Sequence, residues 1–216
     1  MQPLRIVALS DTHGYHWEVE VPPGDILIHA GDITRHGQED ELPEINDWLG
    51  SLPHRHKLVI AGNHDWCFQR RADTSAALLS NATYLQDAAV TIEGLTFYGS
   101  PWTPQFFDWA FTLPRGEPLA AKWAQIPADT DVLITHGPPR HHGDYTFNNE
   151  WAGCADLLAA ITHIQPRYHI FGHIHEGAGV TSNEVTTFIN ASVINVSYEP
   201  VNSPVVFELT PLSRRR

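Results

Sequence analysis

The chain has 216 residues, 42% of them hydrophobic and 18% charged, with a formal net charge of −12 and two cysteines. These values suit one folded domain over residues 1–216 with a substantial core, and they exclude a disordered chain and a disulfide framework built on Cys67 and Cys154. An acidic chain whose one basic run is Arg214-Arg215-Arg216, expected to be a solvated terminus, lacks the basic face that long nucleic acid requires.

The first element is a strand, Leu4–Leu9, an unbroken apolar run that stops at Ser10-Asp11-Thr12-His13. It is too short for a signal peptide or a membrane span, so a cytoplasmic location without membrane association is the default expectation. Residues 26–30 form the next strand and stop at Gly31-Asp32; a helix follows over 38–49. Residues 57–61 repeat the pattern and stop at Gly62-Asn63-His64-Asp65, ahead of a helix over 74–79. A hairpin spans 89–98 with Glu93-Gly94 as its turn. Residues 118–123 are helical, Val132–Thr135 is a strand ending at His136-Gly137-Pro138-Pro139, and 153–164 is a helix. Tyr168–Phe171 stops at Gly172-His173-Ile174-His175, and strands over 185–189, 193–197 and Val205–Leu209 complete the chain. Continuous apolar runs mark strands buried on both faces, and their alternation with helices marks α/β architecture. The expected fold is a two-sheet sandwich flanked by helices, in four layers ordered αββα.

Five strands each end in Asp, Asn or His. Ligands of open α/β sheets gather at the carboxyl ends of strands, so these polar groups belong to one rim. The 14 histidines matter for the same reason, because several fall in those clusters. A mixed set of imidazole, amide and carboxylate donors suits Mn, Fe, Zn, Co or Ni better than Mg or Ca, which prefer all-oxygen shells. Asp32, lying between the first cluster and the third, is the natural carboxylate to bridge two ions.

Asp11-Thr12-His13, Gly31-Asp32, Gly62-Asn63-His64-Asp65, His136 and Gly172-His173-Ile174-His175 resemble, in order, the five motifs of the calcineurin-like metallophosphoesterases. Further segments, Gly99-Ser100-Pro101-Trp102-Thr103-Pro104, Leu113-Pro114-Arg115-Gly116 and Ile189-Asn190-Ala191-Ser192, extend the likeness over nearly the whole chain. They are similar to a small group of metallophosphoesterase-domain-containing proteins known from vertebrate brain and their bacterial relatives. The resemblance implies two divalent ions, manganese first. One ion takes Asp11, His13, Asp32 and His175, the other Asp32, Asn63, His136 and His173. It also implies that His64 sits over the phosphoryl group as a charge stabiliser or general acid, and that Asp65 orients it; a plain helix-capping Asp65 is the structural alternative. Vertebrate members can carry Gly where this chain has His173, so the site here is fully equipped.

Two divalent ions, two carboxylates and one hydroxide leave about +1 locally, so an acidic protein can still hold a phosphate. The expected partner is a small phosphorylated substrate, and the expected reaction is phosphodiester hydrolysis by a hydroxide bridging the two ions, nucleotides or cyclic nucleotides first. A phosphomonoesterase or protein phosphatase of the same superfamily, or a non-catalytic scaffold of this fold, is the alternative. Gly31-Asp32 runs on as Ile33-Thr34-Arg35-His36-Gly37 where the protein phosphatases have Asp-Arg-Gly. Trp102, Phe106, Phe107, Trp109, Phe111 and Trp151 can either stack a base or pack under a loop. Oligomeric state is not legible in the sequence.

Overall fold

The computed structural model describes residues 2–211; the Arg214–Arg216 run lies outside them. In chain order its elements are β1 (Leu4–Leu9), β2 (Ile26–His29), α1 (Leu42–Ser51), β3 (His56–Val59), α2 (Trp66–Arg70), α3 (Ala72–Leu78) and β4 (Thr83–Tyr84). There follow β5 (Ala88–Ile92), β6 (Leu95–Ser100), β7 (Thr103–Pro104), β8 (Thr112–Leu113), α4 (Glu117–Trp123) and β9 (Val132–Thr135). The last are α5 (Ala155–Ile164), β10 (Tyr168–Phe171), β11 (Gly179–Ser182), β12 (Thr187–Asn190) and β13 (Val205–Leu209). One sheet has the order β13-β1-β2-β3-β4, parallel except for β13; the other is β11-β12-β10-β9-β6-β5, parallel except for its two edges.

Alternation along the strands sets the layers. Ile6, Ile28 and Leu58 of the first sheet join Phe97, Ile134, Ile170 and Ile189 of the second in one cluster, so the sheets face each other. Val7, Leu27 and Val59 point the other way, onto Ile45, Trp48 and Leu49 of α1 and Phe68 of α2. Tyr98, Leu133 and Phe171 do the same for the second sheet, onto Leu119 and Trp123 of α4 and Leu157 and Ile161 of α5. The inner strands are covered on both faces over most of their length, which is why these runs are mainly apolar rather than alternating. The fold is the expected αββα sandwich. Among the described residues no helix is long and apolar enough to cross a membrane.

Four local expectations change. The first helix begins at Leu42 rather than at residue 38, because Glu41 turns its carboxylate back to the N–H groups of Arg35, His36 and Gln38, leaving 39–41 as a 3-10 turn. Helix α2 has no counterpart among the expected elements. Residues 193–197 are no strand: the Val193 carbonyl accepts from Val201 and Asn202, and Asn195 Oδ1 accepts from the N–H of Ser197 and Glu199, closing a turn. The strand expected at 185–189 runs from Thr187 to Asn190, since Asn183 Oδ1 accepts the N–H of Val185 and Thr186 and holds them in the turn after β11. The hairpin matches, with Glu93 at φ 50° and Gly94 at φ 85° as its two left-handed turn residues.

The strand-end clusters sit on one rim, but the rim belongs to two sheets. β1, β2 and β3 deliver it from one side, β9 and β10 from the other. Backbone bonds clamp the sheets together there: Ser10 N–H donates to Ala191 O at 2.9 Å, and Val193 N–H to Ser10 O at 3.1 Å.

Candidate metal centre

The segments leaving β1, β2 and β10 turn back sharply. Asp11, His13, Asp32 and His173 hold φ of 59°, 44°, 54° and 70°. Left-handed backbone at residues other than glycine costs roughly 1–3 kcal/mol each, and it persists only where the surroundings enforce it. Enforcement is visible: Asp11 N–H donates to Gly31 O at 2.9 Å and His13 N–H to Asp32 O at 3.0 Å. Two glycines let the loops approach. A Cβ on Gly172 would strike the Asp11 carboxylate, and one on Gly62 would strike that of Asp32.

These turns bring the donors of six candidate ligands into two compact sets. Asp11, His13 and His175 form one and Asp32, His136 and His173 the other, the donor atoms of each lying within 4.8 Å of one another, and His13, Asp32 and His64 make a third set, equally compact, that shares a residue with each. Asp32 Oδ2 is 3.5 Å from His13 Nε2 and 3.3 Å from His136 Nε2, so one oxygen faces both sets. Asn63 Oδ1 lies 2.8 Å from His136 Nε2 and joins the second set. His173 and His175 do reach the same centre, but not as an extended pair. His173 is left-handed and His175 opens a 3-10 turn.

Electrostatics keep His13, His173 and the two carboxylates in metal-binding form, while His136 carries a proton that a metal ion would displace. Burial pulls His13 down to about 4 and His173 down to about 3, so both imidazoles are neutral near pH 7 with a lone pair free. Burial works against ionisation of Asp11 and Asp32, but His175 beside the first and His136 beside the second hold both carboxyls well below the usual range. Burial likewise opposes the His136 cation, yet the Asp32 carboxylate lifts it to about 9. His136 Nδ1–H donates to Ala30 O at 3.0 Å, which fixes the ring and aims Nε2 at Asp32 and Asn63. A cation among these lone pairs would stabilise the carboxylates as the imidazolium proton does. His13 Nε2 and Asn63 Nδ2 are buried without a hydrogen-bond partner among the described residues. The donor set fits divalent ions.

His64 hangs over this centre from the third loop. Its N–H donates to Asp32 Oδ1 at 2.8 Å, and its ring lies 4.7 Å from that of His13. Asp65 does not orient it. Both oxygens of Asp65 are taken, by the N–H and hydroxyl of Thr34 at 2.9 and 2.6 Å and by the N–H of Gly62 and Ile33 at 2.8 and 3.3 Å. Nor does its side chain cap α2, which it precedes. Asp65 is the buried tie between the second and third loops.

The aromatic segment divides. Trp102 donates Nε1–H to Asp87 at 2.9 Å and carries Lys122 Nζ 4.3 Å above its ring, and Phe111 is buried, so neither can stack a base. Trp151 packs on His141 and Tyr145. Phe106 and Phe107 are exposed and pack with Trp109, whose ring lies 5.4 Å from His64 and 6.3 Å from His173. Ala110 N–H donates to Asn63 O at 3.0 Å and anchors this loop to the centre. Tyr198 escaped the sequence reading altogether. Held at φ 62° by the Asn195 turn, it sets its ring 4.9 Å from His13 and 5.4 Å from His175. The one available signal was Asn195 as a turn former.

The sequence profile of the calcineurin-like phosphoesterases matches residues 4–177, which contain every candidate ligand. The chain belongs to the calcineurin-like phosphoesterase family. It is 44% identical to metallophosphoesterase domain-containing protein 1 of Homo sapiens over 230 residues, covering 95% of this chain and 71% of that protein. A UPF0046 protein of Caenorhabditis elegans is 45% identical over 218 residues, covering 94% and 74%. Among solved structures, a protein of Thermus thermophilus named TT1561 superposes with a TM-score of 0.58 at 13% identity over 88% of this chain and 89% of that one, a likeness of fold alone. Tyr198 lies beyond the stretch that the calcineurin-like phosphoesterase profile covers.

Proposed function

We propose that this chain is a dinuclear metal-dependent phosphodiesterase acting on small phosphorylated substrates of nucleotide type. The observation that carries the proposal is Asp32 Oδ2, placed between His13 Nε2 at 3.5 Å and His136 Nε2 at 3.3 Å, one imidazole from each donor set. Asp11, His13, Asp32 and His175 would hold one ion, and Asp32, Asn63, His136 and His173 the other. Such ions supply Lewis acidity toward a phosphoryl oxygen and a nucleophile at neutral pH. His64, which shares a third compact set with His13 and Asp32, would serve to protonate the leaving oxygen rather than to hold an ion. Trp109, with Phe106 and Phe107, offers a face on which a base stacks.

The imidazole-rich donor set favours Mn²⁺ over Mg²⁺. The test is turnover of bis(p-nitrophenyl) phosphate by chelator-treated protein during titration with each ion. Activity should be absent without metal and return more fully with Mn²⁺. Full turnover after chelation, or none with any ion, would overturn the proposal.

A further inference from the structure

The loop after Asp32 is fixed from both sides. Asp65 takes the N–H groups of Ile33 and Thr34, and Glu41 takes those of Arg35, His36 and Gln38 at 2.6, 3.0 and 2.9 Å. Buried Asp65 and the Glu41 turn therefore hold the backbone of five residues rigid while the side chains of Arg35 and His36 stay exposed. The Arg35 guanidinium bonds no carboxylate among the described residues; it rests 5.3 Å from the centroid of the Tyr15 ring. In a chain of net charge −12, an unpaired guanidinium beside the candidate metal centre is a specific arrangement.

Its surroundings form a cleft of about 280 Å³ lined by His13, Tyr15, Arg35, His36, His64 and Tyr198. Two of these, His13 and His64, also border the metal centre, so the cleft opens directly off it. Tyr15 and Tyr198 give it aromatic walls, and Arg35 and His36 bring N–H donors. A ligand in this cleft meets donors and rings but no carboxylate among the lining residues.

We propose that this cleft is a second anion subsite, taking an oxyanion, carboxylate or phosphate, carried by the substrate beyond the phosphoryl group held at the centre. The subsite rests on the phosphoester reading of that centre and adds a substrate class to it: esters whose far end is itself anionic. A planar guanidinium on a rigid loop binds an oxyanion in two parallel hydrogen bonds with little ordering cost. The aromatic segment around Trp109 packs on His64 and His173, so His64 borders both that wall and the Arg35 cleft, and the two meet different parts of the substrate.

The test compares two non-hydrolysable ligands on Mn²⁺-loaded protein by calorimetry: phenylphosphonate, which reaches only the centre, and 4-phosphonobenzoate, which adds a carboxylate too distant to chelate the same ion. Wild type should hold the benzoate about 10-fold more tightly. Arg35→Gln should bring that ratio to about one, and Arg35→Lys should keep part of it. Arg35 is exposed and bonds no carboxylate, so neither substitution threatens the fold. A wild-type ratio of one, or a ratio unchanged in Arg35→Gln, overturns the subsite while leaving the phosphoester reading intact. If neither phosphonate binds the metal-loaded wild type, both fall together.

Discussion

Asp32 and His173 separate two kinds of ligand. Asp32 has one oxygen facing both donor sets and the other held by His64 N–H, whereas His173 belongs to one set. Asp32→Asn should therefore lower the occupancy of both ions, while His173→Gly should empty one and leave the other near full, as read by metal analysis after dialysis. Equal losses from the two variants would refute the partition. His64 makes a different prediction. General acid catalysis contributes on the order of 10²–10⁴-fold, and aryl leaving groups depart without it. His64→Gln should slow alkyl nucleotide diesters by that order and p-nitrophenyl esters far less, with metal content retained; equal slowing would leave His64 a charge clamp only. At this scale the sequence shows which residue types crowd the strand ends, because a polar group after a buried apolar run is conspicuous. It does not show the backbone twists at Asp11, His13, Asp32 and His173, which depend on hydrogen bonds from other loops. Asp65 illustrates the limit: its position beside His64 suggested one partner, and the fold supplied Thr34, Gly62 and Ile33 instead.

Elements were legible in proportion to how strongly their own pattern dictates them. β1, β9 and β10 carry the bounds expected of them, since buried apolar runs that stop at a polar cluster admit one reading, and edge strand β13 does so through its Val-Val-Phe run although it is half exposed. The short α2 and the two-residue pairs β7 and β8 have no such pattern and follow from packing. Residues 193–197 show apolar and β-branched side chains suited to a strand, yet the Asn195 turn and the tie of Val193 to Ser10 override that preference. The segment between β7 and β8 has functional consequences. Its ends pair as a small ribbon, and between them Trp109 reaches the ring of His64. Stacking a base is worth about 1–3 kcal/mol, so Trp109→Ala should raise KM for nucleotide esters by roughly 5-fold to 100-fold and leave small phosphate esters little changed. Trp102→Ala should act otherwise: by losing the indole's hydrogen bond to Asp87 and its contact with Lys122 it lowers thermal stability without selecting between substrates. A Trp109→Ala enzyme with an unchanged nucleotide KM would rule out the base platform.

Across the whole molecule, each sheet carries a buried histidine beneath a threonine of a strand-end motif. His29 Nε2 lies 3.0 Å from Thr12 Oγ1 under the first sheet, and His169 Nε2 lies 2.7 Å from Thr135 Oγ1 under the second. The Nδ1 of both is buried without a partner among the described residues, so a proton there would be an unpaired charge. Burial accordingly pulls His29 down to about 3 from its ordinary 6.5, and pushes His169 well below it. The sign of the linkage follows. Above pH 6.5 both folded and unfolded chains hold these rings neutral, and stability is unaffected. Below 6.5 the unfolded chain takes up protons that the folded chain refuses, so folding stability is lost as pH falls toward 3. His136, raised to about 9, is protonated in both states below 6.5 and adds no slope in this window. Each refused proton contributes about 1.4 kcal/mol per pH unit. Denaturant unfolding of chelator-treated protein should therefore weaken steeply between pH 6.5 and 4. Gln in place of His29 keeps a donor or acceptor for Thr12 but takes up no proton, so His29→Gln should lower that slope by about one proton. Parallel curves for wild type and variant would show that His29 is protonated in the native fold, and with it that the floor of the metal centre admits charge.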